Sequence, residues 1–174
     1  MVGRPSFGLK NEKICFLLFI IKEGSLAMPH IIPPVLVGVF LLSMIPVTVF
    51  CPGAPMLTSP YQWSGLIVAS AGFAILRSGH SRFLAEKTEI HTFREPTKLV
   101  SDGIYGVTRN PMYLGFLLIL LGAAICTNEA LNVLFALAFF LTAQFWYIPL
   151  EERNAADAFG AAYNDYKTRV RRWF

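Results

Sequence analysis

The stretch that decides the fold is Leu99–Gly115, which reads LVSDGIYGVTRNPMYLG. A polar turn leads to Tyr105, and Arg109, Asn110 and Pro111 then stand directly before a long apolar run. Proline suits the first turn of a helix, because its missing N–H loses no partner there. We therefore expect a membrane helix to begin at Pro111, with Asn110 as its cap. The N–H groups at such a helix start, together with Arg109, favour an anion or a ligand carboxylate.

The same residues allow a simpler interpretation. An arginine whose head reaches the water and a tyrosine at the membrane interface are common at the ends of membrane helices. On physical grounds alone, this interpretation and a binding site fit the stretch about equally well.

The composition is that of a membrane protein. Hydrophobic residues make up 55% of the 174 residues, charged residues 15%, and the mean hydropathy is +0.52. A soluble domain has roughly 25% charged residues. The net charge of +4 is therefore assigned to membrane topology and not to nucleic acid.

Four apolar runs predict an all-α bundle of four transmembrane helices, with a cytosolic loop and a C-terminal helix. The expected spans are residues 31–50, 61–77, 111–127 and 130–150. Residues 28–174 are expected to form one domain. Residues 1–27 hold an apolar run too short to span, so we expect an interfacial or disordered extension there.

The positions of the basic residues predict the topology. All fifteen Lys and Arg lie before Ile31, between Arg77 and Arg109, or after Leu150. Under the positive-inside rule, both termini and the Arg77–Arg109 loop face the cytoplasm, as in a multi-pass protein of a bacterial inner membrane.

Glu151 and Glu152 follow the last span directly, where carboxylates are costly unless they have a role. They could form an acidic pocket for a cation or for ribose hydroxyls. Alternatively, they are solvated or paired with Arg153 and Arg109. Glu152 is the candidate to take a proton from an amine, and Arg153 to orient an anionic group. The three cysteines form no CxxC pair, and no metal site is expected.

Leu99–Gly115, the following apolar hairpin, Glu151-Glu152 and FGAAYNDYKTRVRRW (Phe159–Trp173) together resemble the isoprenylcysteine carboxyl methyltransferase family. That family is related to the phospholipid methyltransferases, and the resemblance covers about Thr88 to Trp173. Each motif is weak alone, but their order and spacing are specific. The resemblance implies a membrane methyltransferase that uses S-adenosyl-L-methionine without a Rossmann domain.

The resemblance also implies a cofactor pocket that faces the cytosol. Its expected residues, carried over by position, are Ile90, Lys98, Leu99, Val100, Tyr105, Asn110, Pro111, Met112, Tyr113 and Glu151. Arg109, Glu152 and Arg153 are the expected catalytic residues. The methyl acceptor is a small or lipid-like molecule with a carboxylate, thiol or amine.

Two positions depart from the family pattern. Asn110 replaces the usual histidine before the proline, a variant that fits a bacterial member. Tyr147 stands where prenylcysteine enzymes have a carboxylate-binding arginine, which argues against that substrate. An NADPH-dependent, sterol-reductase-like enzyme and a non-enzymatic membrane scaffold or transporter subunit are the alternative functions. The sequence leaves monomer and homo-oligomer equally open.

Overall fold

The computed structural model describes residues 32–53, 55–85 and 99–173, and over these residues the chain is all-helical, with no strand. This confirms the all-α part of the expected fold class for the described residues. The helices are α1 Pro33–Phe50, α2 Ser64–Ala85, α3 Pro111–Thr127, α4 Val133–Thr142, α5 Ile148–Phe159 and α6 Ala161–Arg169. Short 3₁₀ turns lie at Tyr61–Trp63, Gly103–Gly106 and Ala130–Asn132, and a π-helical turn, Ala143–Tyr147, joins α4 to α5.

Two helical stretches among the described residues are long and apolar enough to cross a membrane. They are α1 and the continuous stretch Ala130–Phe159, while α3 is a shorter apolar helix. Large apolar side chains on α1 are exposed, including Leu42 at 68% and Phe50 at 80%. Exposed apolar surface of this extent is typical of contact with lipid. Both observations agree with the membrane character that the composition indicates.

The last apolar helix does not end where the sequence suggested. It continues through Pro149 to Phe159, nine residues beyond the expected bound at Leu150. Proline normally interrupts a helix because it cannot donate to the carbonyl four residues earlier. Here the π-helical turn just before Pro149 already changes that bonding pattern, so the helix tolerates the ring.

Helix α3 lies in the middle of the bundle and contacts α1, α2 and α4. The core between these helices is almost fully dry: Met44, Leu120 and Phe139 are each at most 2% exposed. The start of α3 is thereby fixed against the α4–α5 helix, which positions the polar residues at that end.

Helices α2 and α3 run antiparallel and touch through glycines. Gly72 lies against the carbonyl of Gly115, and Gly65 against that of Gly122. Both pairs are seven residues apart, so each pair shares one helix face. Glycines that repeat on one face allow the backbones of membrane helices to approach closely.

Alanine at Gly72 is expected to lower the free energy of unfolding by about 1–3 kcal/mol. Its Cβ would lie 2.7 Å from the Gly115 oxygen, which cannot move without shifting α3. The matched control is Gly38→Ala on α1, where a Cβ meets open space and alanine improves helix propensity. Thermal unfolding in one detergent compares the two. Equal stability of both variants would contradict the close contact.

At the other end of α3, a hydrogen-bonded turn joins the helices. Asn128 is left-handed, with φ 55°, and its side chain both donates to and accepts from the backbone of Leu57. The buried carboxylate of Glu129 accepts from the N–H groups of Gly53 and Leu131. Residues 127–129 therefore form a tight turn that also holds the loop before α2.

Candidate active site

Asn110 occupies the N-cap position of α3, as expected, but its side chain makes no capping hydrogen bond. Its Nδ2 instead donates to the carbonyl of Arg172 at 3.0 Å. Pro111 is the first helical residue and is buried. The Asn110 side chain therefore bonds another part of the chain and not the first turn of α3.

That partner is the C-terminal segment, Val170–Trp173. The carbonyl of Arg172 also accepts from the Thr108 hydroxyl at 3.1 Å, and that of Arg171 from the Arg109 N–H at 3.0 Å. The indole of Trp173 donates to Gln144 Oε1 at 2.8 Å. This segment binds the start of α3 to the π-helical turn and forms one wall of the candidate site.

Glu151 is held by an aromatic pair. The Tyr113 hydroxyl donates to Glu151 Oε1 at 2.8 Å, and the Tyr113 ring stacks on Tyr147 at 6.0 Å between centroids. Tyr113 and Tyr147 are both about 4% exposed, whereas Glu151 is partly exposed. A carboxylate therefore sits at the border between the dry core and the surface, oriented by a phenol.

Glu152 lies between two guanidinium groups. Arg109 Nη2 is 3.2 Å from Oε1, and Arg172 Nη2 is 2.6 Å from Oε2. The side chains of Glu152 and Arg109 are only 13% and 11% exposed. Arg153, which the sequence suggested as a partner, is exposed. The structure replaces it with Arg172.

The Arg109 guanidinium has N–H groups that its contact with Glu152 does not use. Its Nε and Nη1 are buried and have no hydrogen-bond partner among the described residues. A buried donor without a partner costs free energy, and it is normally matched by water or a ligand. These two groups fit an incoming anion.

Three tyrosines line the adjoining side. Tyr163 and Tyr166 of α6 are buried and pack against Leu99, and the Tyr166 hydroxyl donates to the carbonyl of Tyr105 at 2.6 Å. The Tyr105 hydroxyl is buried without a partner among the described residues. Burial, then the charge of Glu151, raises the pKa of Tyr105 well above its usual value. Tyr105 is therefore a neutral donor.

Burial raises the pKa of Tyr166 to about 12, with Tyr163 adding to the rise. Burial, then the charge of Glu152, raises that of Tyr163 to about 12. In the unfolded chain both ionise near pH 10. The folded state thus holds these protons more tightly, and stability is expected to fall as the pH rises from about 10 to about 12.

Phenolate absorbance checks this expectation. The absorbance of these two phenols is obtained by subtracting the signal of a Tyr163→Phe/Tyr166→Phe variant from that of the wild type. Their signal is expected to appear together with unfolding. Ionisation of both near pH 10 in the folded protein would contradict their burial.

The structure thus brings together most of the expected residues: Arg109, Asn110, Pro111, Tyr113, Glu151 and Glu152, with Tyr105 and Leu99 alongside. Val100 is buried and Met112 half-buried. Ile90 and Lys98 lie outside the described residues. Arg172 and Gln144 were not expected, because the sequence gives no sign that the C-terminal segment returns to α3.

An oriented carboxylate, a buried arginine and neutral phenols lie together at one end of the apolar helix bundle, and they form a candidate binding site. Residues 61–162 match the family model described as phospholipid methyltransferase. The match covers more than half of the chain and includes the start of α3 and both glutamates. The chain belongs to the phospholipid methyltransferase family, as its resemblance to this group of enzymes predicted. No curated protein and no solved structure matches it significantly.

Proposed function

We propose that this protein is an integral-membrane, S-adenosyl-L-methionine-dependent methyltransferase that acts at the cytosolic membrane face. The observation that supports it most directly is the family match, which includes Arg109, Tyr113 and both glutamates of the candidate site. The proposal includes four spans, formed by α1, the apolar part of α2, α3 and the helix from Ala130. Both termini then face the cytoplasm.

The chemistry of the site suits this cofactor. S-adenosyl-L-methionine has a positively charged sulfonium and ammonium, ribose hydroxyls and a carboxylate. Glu151 can accept hydrogen bonds from a hydroxyl or from the ammonium, beside its bond to Tyr113. The unpartnered Nε and Nη1 of Arg109 match a carboxylate. The ammonium and the carboxylate of the molecule therefore each have a complementary group here.

When bound, the cofactor supplies a methyl group on a sulfonium, which a nucleophile displaces in line. The protein's part is to align the reactants and exclude water. Tyr113 and Tyr147 supply an apolar wall next to Glu151, and the C-terminal segment covers the start of α3. We propose that Arg109 orients the carboxylate of the cofactor.

Glu152 receives a different role from the one the sequence suggested. Both of its oxygens bind guanidinium groups, so neither is directed at a substrate proton. We propose Glu152 as a positioning residue that holds Arg109 in place. We keep Arg153 as the residue proposed to orient the substrate, because this next residue of α5 is exposed.

The proposed acceptor is a small or lipid-like molecule with a carboxylate, thiol or amine. The exposed apolar faces of the bundle allow such a molecule to arrive from the bilayer, with its reactive group at the polar end. The number of copies in the assembly is left open.

Calorimetry on the detergent-purified protein tests the proposal. Saturable binding of S-adenosyl-L-methionine, without binding of NADPH, is expected. No binding at millimolar S-adenosyl-L-methionine would overturn it, and binding of NADPH alone would favour the reductase.

A further inference from the structure

A second polar site lies at the end of α2, outside the residues assigned to the cofactor. A cavity of about 580 Å³ is lined by Arg77, Ser78, Ser81 and Arg82 of α2 and by Ile104 of the Gly103–Gly106 turn. Its size lies within the usual range for small-molecule sites. Two guanidinium groups on one wall indicate an anionic ligand.

The charge of the cavity is only partly neutralised. Arg82 pairs with Asp102 at 3.1 Å, and both side chains are about half exposed. Arg77 has no carboxylate partner among the described residues, and its Nη1 donates to the Ser81 hydroxyl. Among residues 32–53, 55–85 and 99–173, the Arg77 charge is therefore left without a counter-charge. The C-terminal end of a helix has a partial negative charge and does not attract an anion. The attraction of an anion here therefore comes from the arginines alone.

Both arginines are exposed, and each makes a side-chain contact within the chain. The Ser81 oxygen accepts from Arg77, while its own proton goes to the Arg77 carbonyl. Gly103, with φ 59°, lies so close to Arg82 that a Cβ would be 2.7 Å from its Nε. Asp102 and Gly103 together therefore orient the Arg82 guanidinium. Because the serine protons are used internally, the guanidinium N–H groups are the donors for a ligand.

The cavity also lies where phosphate groups are found. α2 is apolar up to Leu76, and Arg77 is its first charged residue. In a membrane, this change marks the boundary between hydrocarbon and head groups. Arginine suits phosphate because its planar N–H groups match two phosphate oxygens.

We propose that this cavity binds a phosphate-class oxyanion, held by Arg77 and Arg82. The anion bridges the two guanidinium groups. Its source is a lipid head group or free phosphate. The inference does not depend on methyl transfer, since it uses no residue assigned to the cofactor.

The test compares the wild type with an Arg77→Gln/Arg82→Gln variant in phosphate-free detergent solution. The matched control, Lys167→Gln/Arg169→Gln, removes the same charge from exposed positions of α6. Calorimetric titrations use inorganic phosphate in one arm and a short-chain phosphatidic acid in the other. Thermal unfolding confirms that each variant is folded.

We expect the affinity for at least one probe to fall roughly tenfold or more in the α2 variant and to stay unchanged in the control. Loss with both probes identifies the phosphate group itself as the ligand, and loss with the lipid alone identifies a head group. Equal binding by the wild type and the α2 variant, or binding of neither probe, would overturn the proposal. S-adenosyl-L-methionine binding is measured separately, so the two proposals can fail independently.

Discussion

Glu151→Gln is expected to reduce the affinity for S-adenosyl-L-methionine by about ten- to a hundredfold, with methyl transfer falling at least as far. Glutamine keeps the size of the side chain and an oxygen that can accept from Tyr113. It loses the charge that attracts the sulfonium and the ammonium. Tyr113→Phe removes only the hydrogen bond that orients the carboxylate, so its effect should be smaller.

The matched control for Glu151 is Asp157→Asn. Asp157 is an exposed carboxylate on the same helix, α5, and its loss should leave binding unchanged. Calorimetry measures the affinity, and thermal unfolding shows whether each variant is folded. A Glu151→Gln protein that binds and turns over like the wild type would remove Glu151 from the proposed site.

Glu152→Ala is expected to destabilise the fold by about 3 kcal/mol. The variant leaves Arg109 and Arg172 close together and mostly buried, without the carboxylate that neutralises both. The exposed pair Arg169–Asp165 provides the control, because Asp165→Ala should change stability by less than about 1 kcal/mol. Chemical unfolding in mixed micelles measures both.

A further variant separates stability from binding at Glu152. The Glu152→Gln/Arg109→Met variant removes both charges of one buried ion pair. Most of the stability that Glu152→Ala loses should therefore return. Cofactor binding should stay weak, because the donors of Arg109 are absent. Recovery of both properties would show that Arg109 and Glu152 serve the fold alone.

The helices could be predicted because they follow from local apolar runs. The bounds expected for α3, residues 111–127, agree with Pro111–Thr127, and α1 starts within two residues of its expected position. Helix α2 runs past Leu76 into the charged region, as the polar residues after it indicated. That the last expected span and the C-terminal helix form one continuous helix was not predicted, because the effect of Pro149 depends on the π-helical turn before it.

The packing of α2 on α3 was only half visible in the sequence. Gly65 and Gly72 stand seven residues apart and share one helix face, but this spacing alone does not identify the helix that packs against it. Gly115 and Gly122 have the same spacing, and this repeat identifies the partner once the helices are known to be antiparallel.

The contacts of the candidate site that depend on a helical hairpin could be predicted. The contacts between residues far apart in the chain could not. A short turn between α3 and the next helix must bring Tyr113 near Glu151, and it does. The return of Arg172 to Asn110 and Glu152 joins residues that are far apart in the chain. Such contacts are set by shape and hydrogen-bond geometry, for which a single sequence has no periodic signal.

The π-helical turn Ala143–Tyr147 sets the angular phase between two parts of one helix. A wider turn accommodates one extra residue, and each residue of an α-helix advances the side chains by about 100°. Deleting one residue there would let α4 keep its contacts with α1 and α3 while Glu151 and Glu152 rotate away from Tyr113 and Arg109. The helices would keep their packing while the proposed site would lose its geometry, so this turn determines which side chains of the last helix face Tyr113 and Arg109.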